Sequence, residues 1–222
     1  MYNLPYFKED DVSIIKEFIL QYPFAFLTGS DEKSRPVATQ IPVFLEEENE
    51  KLFISGHMMR NTDHHKAFMQ NNEALVVFTG PHCYVSATWY SDPHQASTWN
   101  YMSVHARGKI NFPGDEALVE VLRKTTLHFE KMNGQSTTIF DNLPDEYRKK
   151  LMPAIVAFRI ELTSLENVFK LSQNRDKDSY INIIEKLSQG DQNERDIANE
   201  MKQRLDSLFP PGENDRAQNP EP

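Results

Sequence analysis

The sequence predicts a β-rich α+β protein whose antiparallel sheet closes into a barrel, with peripheral helices and a helical appendage at the C-terminus. Short β-type apolar runs follow one another closely between residues 24 and 110, separated by Gly, Pro, Asn and charged residues. Few helical stretches lie between these runs, whereas a doubly wound parallel fold needs a helix after nearly every strand. We therefore expect a barrel.

The individual elements are predicted from hydrophobic spacing. Residues 11–21 form an amphipathic helix, because apolar side chains recur there at helical spacing after an acidic start. The predicted strands are residues 24–28, 37–45, 52–55, 75–79, 84–87, 101–110 and 156–162. The later predicted helices are residues 63–70, 114–131 and a pair within 176–208, broken at Gly190-Asp191.

Length and composition bound the class of protein. A chain of 222 residues suits one domain, or one domain with a helical appendage. No apolar run approaches the roughly 18 residues of a membrane span, and Lys8-Glu9-Asp10-Asp11 leaves the start without the basic and apolar zones of a signal peptide. We therefore expect a soluble cytoplasmic protein with no membrane partner. The single cysteine, Cys83, excludes an internal disulfide and a cysteine-cluster metal site.

Charge and tail composition add two expectations. The net charge of −9 argues against broad attraction to nucleic-acid phosphates, although an anionic cofactor needs only two or three well-placed cations. From Pro210 to Pro222 no aliphatic side chain is larger than Ala217, so we predict a disordered tail over residues 209–222.

The sequence names no catalytic residue and no metal ligand. There is no G-x-S-x-G, P-loop or G-x-G-x-x-G motif, and the 7 histidines lack metal-ligand spacing. We expect no metal site, and any redox chemistry would belong to a bound cofactor.

The segment Trp89–Tyr101 holds both tryptophans of the chain around a proline-containing loop. An indole ring buries a large apolar area but carries an N–H that needs a partner, and Asn, Ser and Thr lie beside these rings. The segment is either a packed strand corner or a wall against which a planar ligand rests.

The same segment resembles the WY…TWNY signature of the PaiB-type, FMN-binding negative transcriptional regulator family. Two further blocks agree with the resemblance. Residues 56–61 with 78–86 look like the family's GH…N and F-G-P-H-Y-S runs, and residues 169–175 look like its FKLSQNR run. The resemblance covers about residues 1–208.

The resemblance implies a split-barrel fold of the FMN-binding oxidoreductase type. It implies an FMN-binding domain over residues 1–170, with 171–208 as a helical appendage of that domain. Such barrels generally form homodimers that hold the flavin at the subunit interface, so we expect a homodimer with the Trp89–Tyr101 loop and residues 170–173 near that interface.

Two functions follow from the resemblance. The first is a homodimeric protein that binds FMN, or a similar flat anionic cofactor, as a flavin-dependent oxidoreductase or flavin-linked regulator. The alternative is a transcription-associated negative regulator without redox chemistry of its own. Nucleic-acid binding has weak support, because acidic residues interleave with the lysines and arginines of the C-terminal helices.

The phosphate of FMN requires cations and N–H donors. Arg60 offers a bidentate fork and Lys66 a point charge, and the helix that starts after Arg60-Asn61 offers free N–H groups. Lys66 is the first choice, because a lysine in this helix contacts the phosphate in related split-barrel flavoproteins. His57, at the preceding strand end, is a further candidate contact. The alternative is that Arg60 and Lys66 are ordinary solvated cations.

The flavin ring requires main-chain partners at its edge and a flat wall. The strand 38–43 would pass its backbone along the ring edge. Residues 170–173 lie where split-barrel relatives place a side chain from the other subunit, although they could also simply be the turn that ends the last strand. The predicted cofactor contacts are Thr39, Gln40, Ile41, His57, Arg60, Asn61, Lys66, Trp99, Lys170 and Gln173.

The chain departs from the family pattern around this site. Gln40 stands where family members usually carry His, and Asn61-Thr62-Asp63 replaces Ala-Asn-Pro. Ala87-Thr88 stands where Ser-Pro usually precedes Trp-Tyr, and Ser97 replaces a Pro. These departures leave the fold prediction unchanged.

Overall fold

A single seven-stranded antiparallel sheet is the framework of the fold, in a computed structural model that describes residues 1–2 and 4–210. The strands are β1 Phe24–Ser30, β2 Pro36–Pro42, β3 Phe44–Glu48, β4 Lys51–Met59, β5 Glu73–Val85, β6 Thr98–Asn111 and β7 Ile155–Lys170. The helices are α1 Val12–Gln21, α2 Asp63–Gln70, α3 Asp115–Phe129, α4 Asp145–Leu151, α5 Lys177–Leu187 and α6 Gln192–Leu208. The strand order is β2-β1-β5-β6-β7-β4-β3, and the expected β-rich α+β class is confirmed.

The described chain forms two compact units. The larger unit contains Asp11–Thr79 and Val104–Glu166. The terminal unit contains Met1–Asp10, Gly80–Ser103 and the chain from Asn167 onward, within the described residues. Strands β5, β6 and β7 contribute residues to both units. The division predicted at residue 170 stays a prediction.

In the larger unit, strand β1 has one buried face. Along β1, Ala25 and Leu27 are buried while Phe24 and Phe26 are exposed, which is the two-residue period of a sheet with one covered face. β1 pairs with β2 along its whole length, from Phe24 opposite Pro42 to Ser30 opposite Pro36. Helix α1 starts at the N-cap Asp11 and buries the apolar stripe that its spacing predicts.

Two glycines permit close approach of strands in the larger unit. A Cβ on Gly56 of β4 would lie 2.7 Å from the Phe158 ring of β7 and 3.1 Å from the carbonyl oxygen of Pro42 at the end of β2. A Cβ on Gly108 of β6 would lie 2.2 Å from the Glu161 carbonyl oxygen. At both positions neighbouring parts of the sheet approach so closely that only glycine fits.

The terminal unit is built around helices α5 and α6. Tyr180, Ile183 and Ile197 are fully buried, and the Tyr180 hydroxyl donates to the carbonyl oxygen of Met201 at 3.1 Å. α6 begins with a capping box in which the Asp191 carboxylate accepts from the Glu194 N–H, and the Glu194 carboxylate accepts from the Asp191 N–H. The predicted break at Gly190-Asp191 is confirmed.

Two strand predictions are wrong. The sequence predicts residues 75–79 and 84–87 as separate strands divided by a turn that contains Gly and Pro, yet β5 runs unbroken from Glu73 to Val85 and the chain then enters a 3-10 helix at Ala87. The burial pattern shifts by one residue near Gly80, as at a β-bulge, and a bulge accommodates proline. The single strand expected over 37–45 is divided at Val43, which is buried and donates its N–H to the Pro23 carbonyl oxygen.

Helix α4 was not predicted, because it buries none of its residues and so has no apolar stripe to detect. Of the predicted disordered tail only two residues are described: Phe209 ends α6, with its ring centroid 5.5 Å from that of Tyr180, and Pro210 follows. The rest of that prediction lies outside the described residues.

Candidate functional site

The strand expected at the flavin ring lies at an edge of the sheet. β2 pairs with β1 on one side, and the strand order gives it no partner on the other, so part of its main chain is unpaired within the sheet. Thr39 and Ile41 are half-buried, and Gln40 is exposed opposite Phe26 of β1. Unpaired main-chain N–H and C=O groups at such an edge can bond the polar atoms of a ring.

Helix α2 brings the predicted phosphate-binding residues to the β1–β2 hairpin. It packs against both strands, and the Phe68 ring lies where a Cβ on Gly29 would be, 2.4 Å away. Lys66 is exposed on this helix and forms no ion pair with any described carboxylate. The fold therefore packs the helix that carries this lysine against the edge strand.

Arg60 is less free than the sequence indicates. Its Nε donates to the Ile155 carbonyl oxygen at 3.2 Å, and its terminal nitrogen lies 3.7 Å from the Asp115 carboxylate. About 35% of the side chain remains exposed. Arg60 can thus offer part of its guanidinium to an anion, in competition with Asp115.

Two of the N–H groups expected to be free at the start of α2, and the Asn61 N–H just before it, already have partners. The Asn61 N–H donates to His65 Nδ1 at 3.2 Å, the His64 N–H to the Asp63 carboxylate at 2.8 Å, and the His65 N–H to the Thr62 hydroxyl at 3.3 Å. Asn61 reaches this geometry with a left-handed backbone, φ 65°. Hydrogen bonds from His64 hold the pKa of the Asp63 carboxyl below its ordinary value, so a negative charge also stands here.

His57 lies on β4 opposite Ala157 of β7, in the larger unit. Its side chain is partly buried, and burial lowers the pKa of its imidazole below the ordinary 6.5. The ring is therefore neutral at physiological pH. A neutral imidazole can donate one hydrogen bond and accept another, but it does not supply a cation for a phosphate.

Lys170 ends β7 in the terminal unit and has no carboxylate partner among the described residues. Its Nζ donates to the Thr98 hydroxyl at 2.6 Å and lies 5.4 Å from the Tyr2 ring centroid and 5.7 Å from that of Phe7. Burial, and then the positive charge of Arg175, lower the pKa of its amine. A bound anion would stabilise the charged amine of Lys170 against both effects.

Gln173 holds the turn after β7. Its Oε1 accepts from the Leu171 N–H at 2.7 Å, and its Nε2 donates to the Phe169 carbonyl oxygen. Between them Ser172 adopts a left-handed backbone, φ 63°, and its buried hydroxyl donates to Asn100 Oδ1 at 3.0 Å. Both ends of the Gln173 amide are thus engaged in positioning the segment that starts at Lys170.

Trp99 is 54% exposed and lines an open cleft of about 300 Å³ in the terminal unit. Its ring centroid lies 6.1 Å from that of His82 and 6.2 Å from that of Tyr84. The remaining lining residues are Cys83, Asp191, Asn193 and Glu194. This exposure favours the wall over the packed corner, and contact of Trp99 with a cofactor stays a prediction.

The structure thus divides the predicted contacts between the two units. Thr39, Gln40, Ile41, His57, Arg60, Asn61 and Lys66 belong to the larger unit, whereas Trp99, Lys170 and Gln173 belong to the terminal unit. Sequence reasoning missed Arg175, whose guanidinium stacks 4.1 Å from the Tyr90 ring centroid and has no described carboxylate partner. Its place at the end of the FKLSQNR block was the available signal.

The described residues contain neither a metal-binding cluster nor a helix suited to span a membrane. No group of three or more His, Cys, Asp or Glu side chains is arranged to hold a metal ion there. None of the described helices has both the length and the apolar character that a membrane crossing requires.

Comparison with known proteins gives the family. Residues 1–164 match the family model named "Putative FMN-binding domain". The chain is 30% identical over 206 residues to the protease synthase and sporulation protein PAI 2 of Bacillus subtilis, covering 92% of this chain and 98% of that protein.

Two solved structures share the fold. The FAD and heme binding protein of Mycobacterium smegmatis aligns with a TM-score of 0.51 at 17% identity, covering 74% of this chain and 73% of that one. The flavocytochrome Anf3 of Azotobacter vinelandii aligns with a TM-score of 0.50 at 14% identity, covering 76% and 72%. The split-barrel fold expected from the sequence is confirmed. By the match over residues 1–164 and by its PAI 2 relative, the chain belongs to the FMN-binding domain family that includes the PaiB-type proteins.

Proposed function

We propose that this chain binds FMN, using the edge of β2 for the ring and the side chains of Lys66 and Arg60 for the phosphate. The observation that carries the proposal is the unpaired edge of β2 beside a helix whose Lys66 has no carboxylate partner among the described residues. Among flat anionic ligands we propose a flavin, because the chain belongs to an FMN-binding domain family.

The residues present fit FMN in part. Main-chain groups at the β2 edge suit the ring, and Lys66 suits the phosphate. The start of α2 fits less well, because the His64 and His65 N–H groups are already bonded and Asp63 is ionised. Phosphate binding therefore falls to side chains rather than to helix N–H groups. A bound flavin would supply electron transfer, and the chain's own residues would bind and orient it.

Extraction of the purified protein under denaturing conditions, with mass identification of the released molecule, tests the cofactor. FMN is expected. FMN, riboflavin and FAD should then be titrated into flavin-free protein by fluorescence, with FMN binding tightest. A released haem, or no quenching by any flavin, would refute the proposal.

The proposal includes a homodimer. Phe24 and Phe26 of β1 are 60% and 39% exposed, and Val77 of β5, opposite Phe26, is only half-buried. An exposed apolar surface that carries aromatic side chains is typical of an association surface. Light scattering should give twice the mass of one chain, and Phe26→Lys should lower it, whereas Phe129→Lys on α3, also exposed, should not. A single-chain mass for the native protein would exclude the dimer.

A regulatory role is the second candidate. It is favoured by the PAI 2 relative, whose name links that protein to protease synthesis and sporulation. Gel-shift assays at low salt test for DNA binding by this chain. A salt-dependent shift would support regulation through DNA, whereas no shift would restrict the candidate to regulation without DNA contact.

A further inference from the structure

The cleft around Trp99 combines aromatic rings with unpaired negative charge. His82 and Tyr84 alternate with buried Cys83 on β5, and Trp99 lies on the neighbouring strand β6, so three rings stand on one wall. Asp191 and Glu194, at the start of α6, line the same cleft. Neither carboxylate forms an ion pair with any cation of the described chain.

The charge balance of the cleft is negative. The start of a helix contributes the equivalent of about +0.5 charge, whereas two ionised carboxylates contribute about −2. Arg195 is the nearest cation in sequence, but its guanidinium donates to the Gly190 carbonyl oxygen and to Gln192 Oε1 instead. Burial is the main cause that raises the pKa of the Cys83 thiol in the cleft wall, to about 12. The negative charges of Glu194 and Asp191 raise it further, so these carboxylates act on the wall of the cleft. An anionic ligand is disfavoured here.

We infer that this cleft binds a small organic cation, an alkylammonium group held against the Trp99 and Tyr84 rings and neutralised by Asp191 and Glu194. Electron-rich ring faces attract ammonium groups, and nearby carboxylates add direct attraction. A volume of about 300 Å³ lies at the lower end of small-molecule sites and accommodates a ligand the size of choline. This inference goes beyond the flavin site and assigns Trp99 to a different ligand.

Choline and its neutral isostere 3,3-dimethyl-1-butanol are the probes. The full chain contains two tryptophans, so its NMR spectrum shows two indole N–H signals, which a Trp99→Leu variant assigns. Choline should shift the Trp99 signal with millimolar affinity and leave the Trp89 signal unchanged. The neutral isostere should bind at least about tenfold more weakly, since it lacks the charge.

Charge-only variants test the carboxylates without removing the helix cap. Asp191→Asn with Glu194→Gln keeps a good N-cap residue and the capping box while removing both charges. Choline should then bind about tenfold more weakly, or worse. The matched control is Asp178→Asn with Glu185→Gln on α5, which removes two exposed charges elsewhere in the terminal unit and should leave choline affinity unchanged.

Three results would overturn the inference. They are equal binding of choline and its neutral isostere, unchanged choline affinity in the Asp191/Glu194 variant, and no response of Trp99 to choline at any concentration. If FMN instead shifts the Trp99 signal while choline does not, Trp99 belongs to the flavin site.

Discussion

Replacing Lys66 by Glu tests the phosphate site most directly. Two unit charges 4 Å apart interact by about 1 kcal/mol in water and about 4 kcal/mol at an effective dielectric constant of 20. Because Lys66 is exposed, the lower value applies. Removing the charge in Lys66→Gln should therefore cost about 1 kcal/mol, roughly fivefold in affinity, and reversing it in Lys66→Glu about 2 kcal/mol, roughly thirtyfold.

Fluorescence titration with FMN and riboflavin separates the phosphate from the ring. Riboflavin lacks the phosphate, so its affinity should be the same for Lys66→Glu and the native protein. The FMN effect should shrink as salt rises, since exposed charges are screened. The control is Lys33→Glu, which makes the same charge change at an exposed position of the β1–β2 turn and should leave both affinities unchanged.

The result that would refute this reasoning is an unchanged ratio of FMN to riboflavin affinity in Lys66→Glu. The phosphate would then lie elsewhere, and the cations Lys170 and Arg175 of the terminal unit would be the next candidates. Equal losses of FMN and riboflavin affinity would instead indicate that the substitution disturbs the fold, which circular dichroism would detect.

Three further predictions concern the fold. Gly108→Ala should lower the free energy of unfolding by about 1–3 kcal/mol in denaturant titrations, because its Cβ would lie 2.2 Å from a main-chain oxygen, whereas Gly134→Ala meets nothing within 4 Å and should be neutral. The lowered pKa of His57 means that the unfolded state binds more protons below pH 6.5, so stability should fall as pH drops through that value, with a shallower slope in His57→Gln. Since burial raises the pKa of Cys83 to about 12, its thiol should react with a disulfide reagent at pH 8 much more slowly in the folded protein than after unfolding; equal rates would contradict its burial.

Hydrophobic spacing was sufficient to predict the sheet and most helices, because a half-buried strand and an amphipathic helix each leave a period in the sequence. The Phe24–Ser30 strand and helix α1 follow this rule. The failures have the opposite cause. Helix α4 buries no residue, so its sequence has no hydrophobic period. Strand β5 accommodates Gly80-Pro81 by a one-residue shift in its burial pattern, which residue propensities do not predict.

The candidate site was less predictable than the fold, because a side chain's availability depends on its partners. Thr62 is recognisable as an N-cap residue, but the sequence did not show that His65 Nδ1 would also take the Asn61 N–H. Gln173 was predicted to contact the cofactor, yet both ends of its amide hold the turn. That prediction stays untested, although the amide has little capacity left for a ligand.

Some lysines and arginines of this chain are paired with a carboxylate and others are not, and the spacing of residues in the sequence does not show which. Lys124 is paired with Glu46, and Arg204 with Glu200, so these side chains are already neutralised where they stand. Lys66, Lys170 and Arg175 have no such partner among the described residues. Lys170 and Arg175 are also held in place by hydrogen bonds and ring contacts, so part of the cost of ordering them for an anion has already been met. The same reasoning with the sign reversed makes the unpaired carboxylates beside Trp99 a site for a cation.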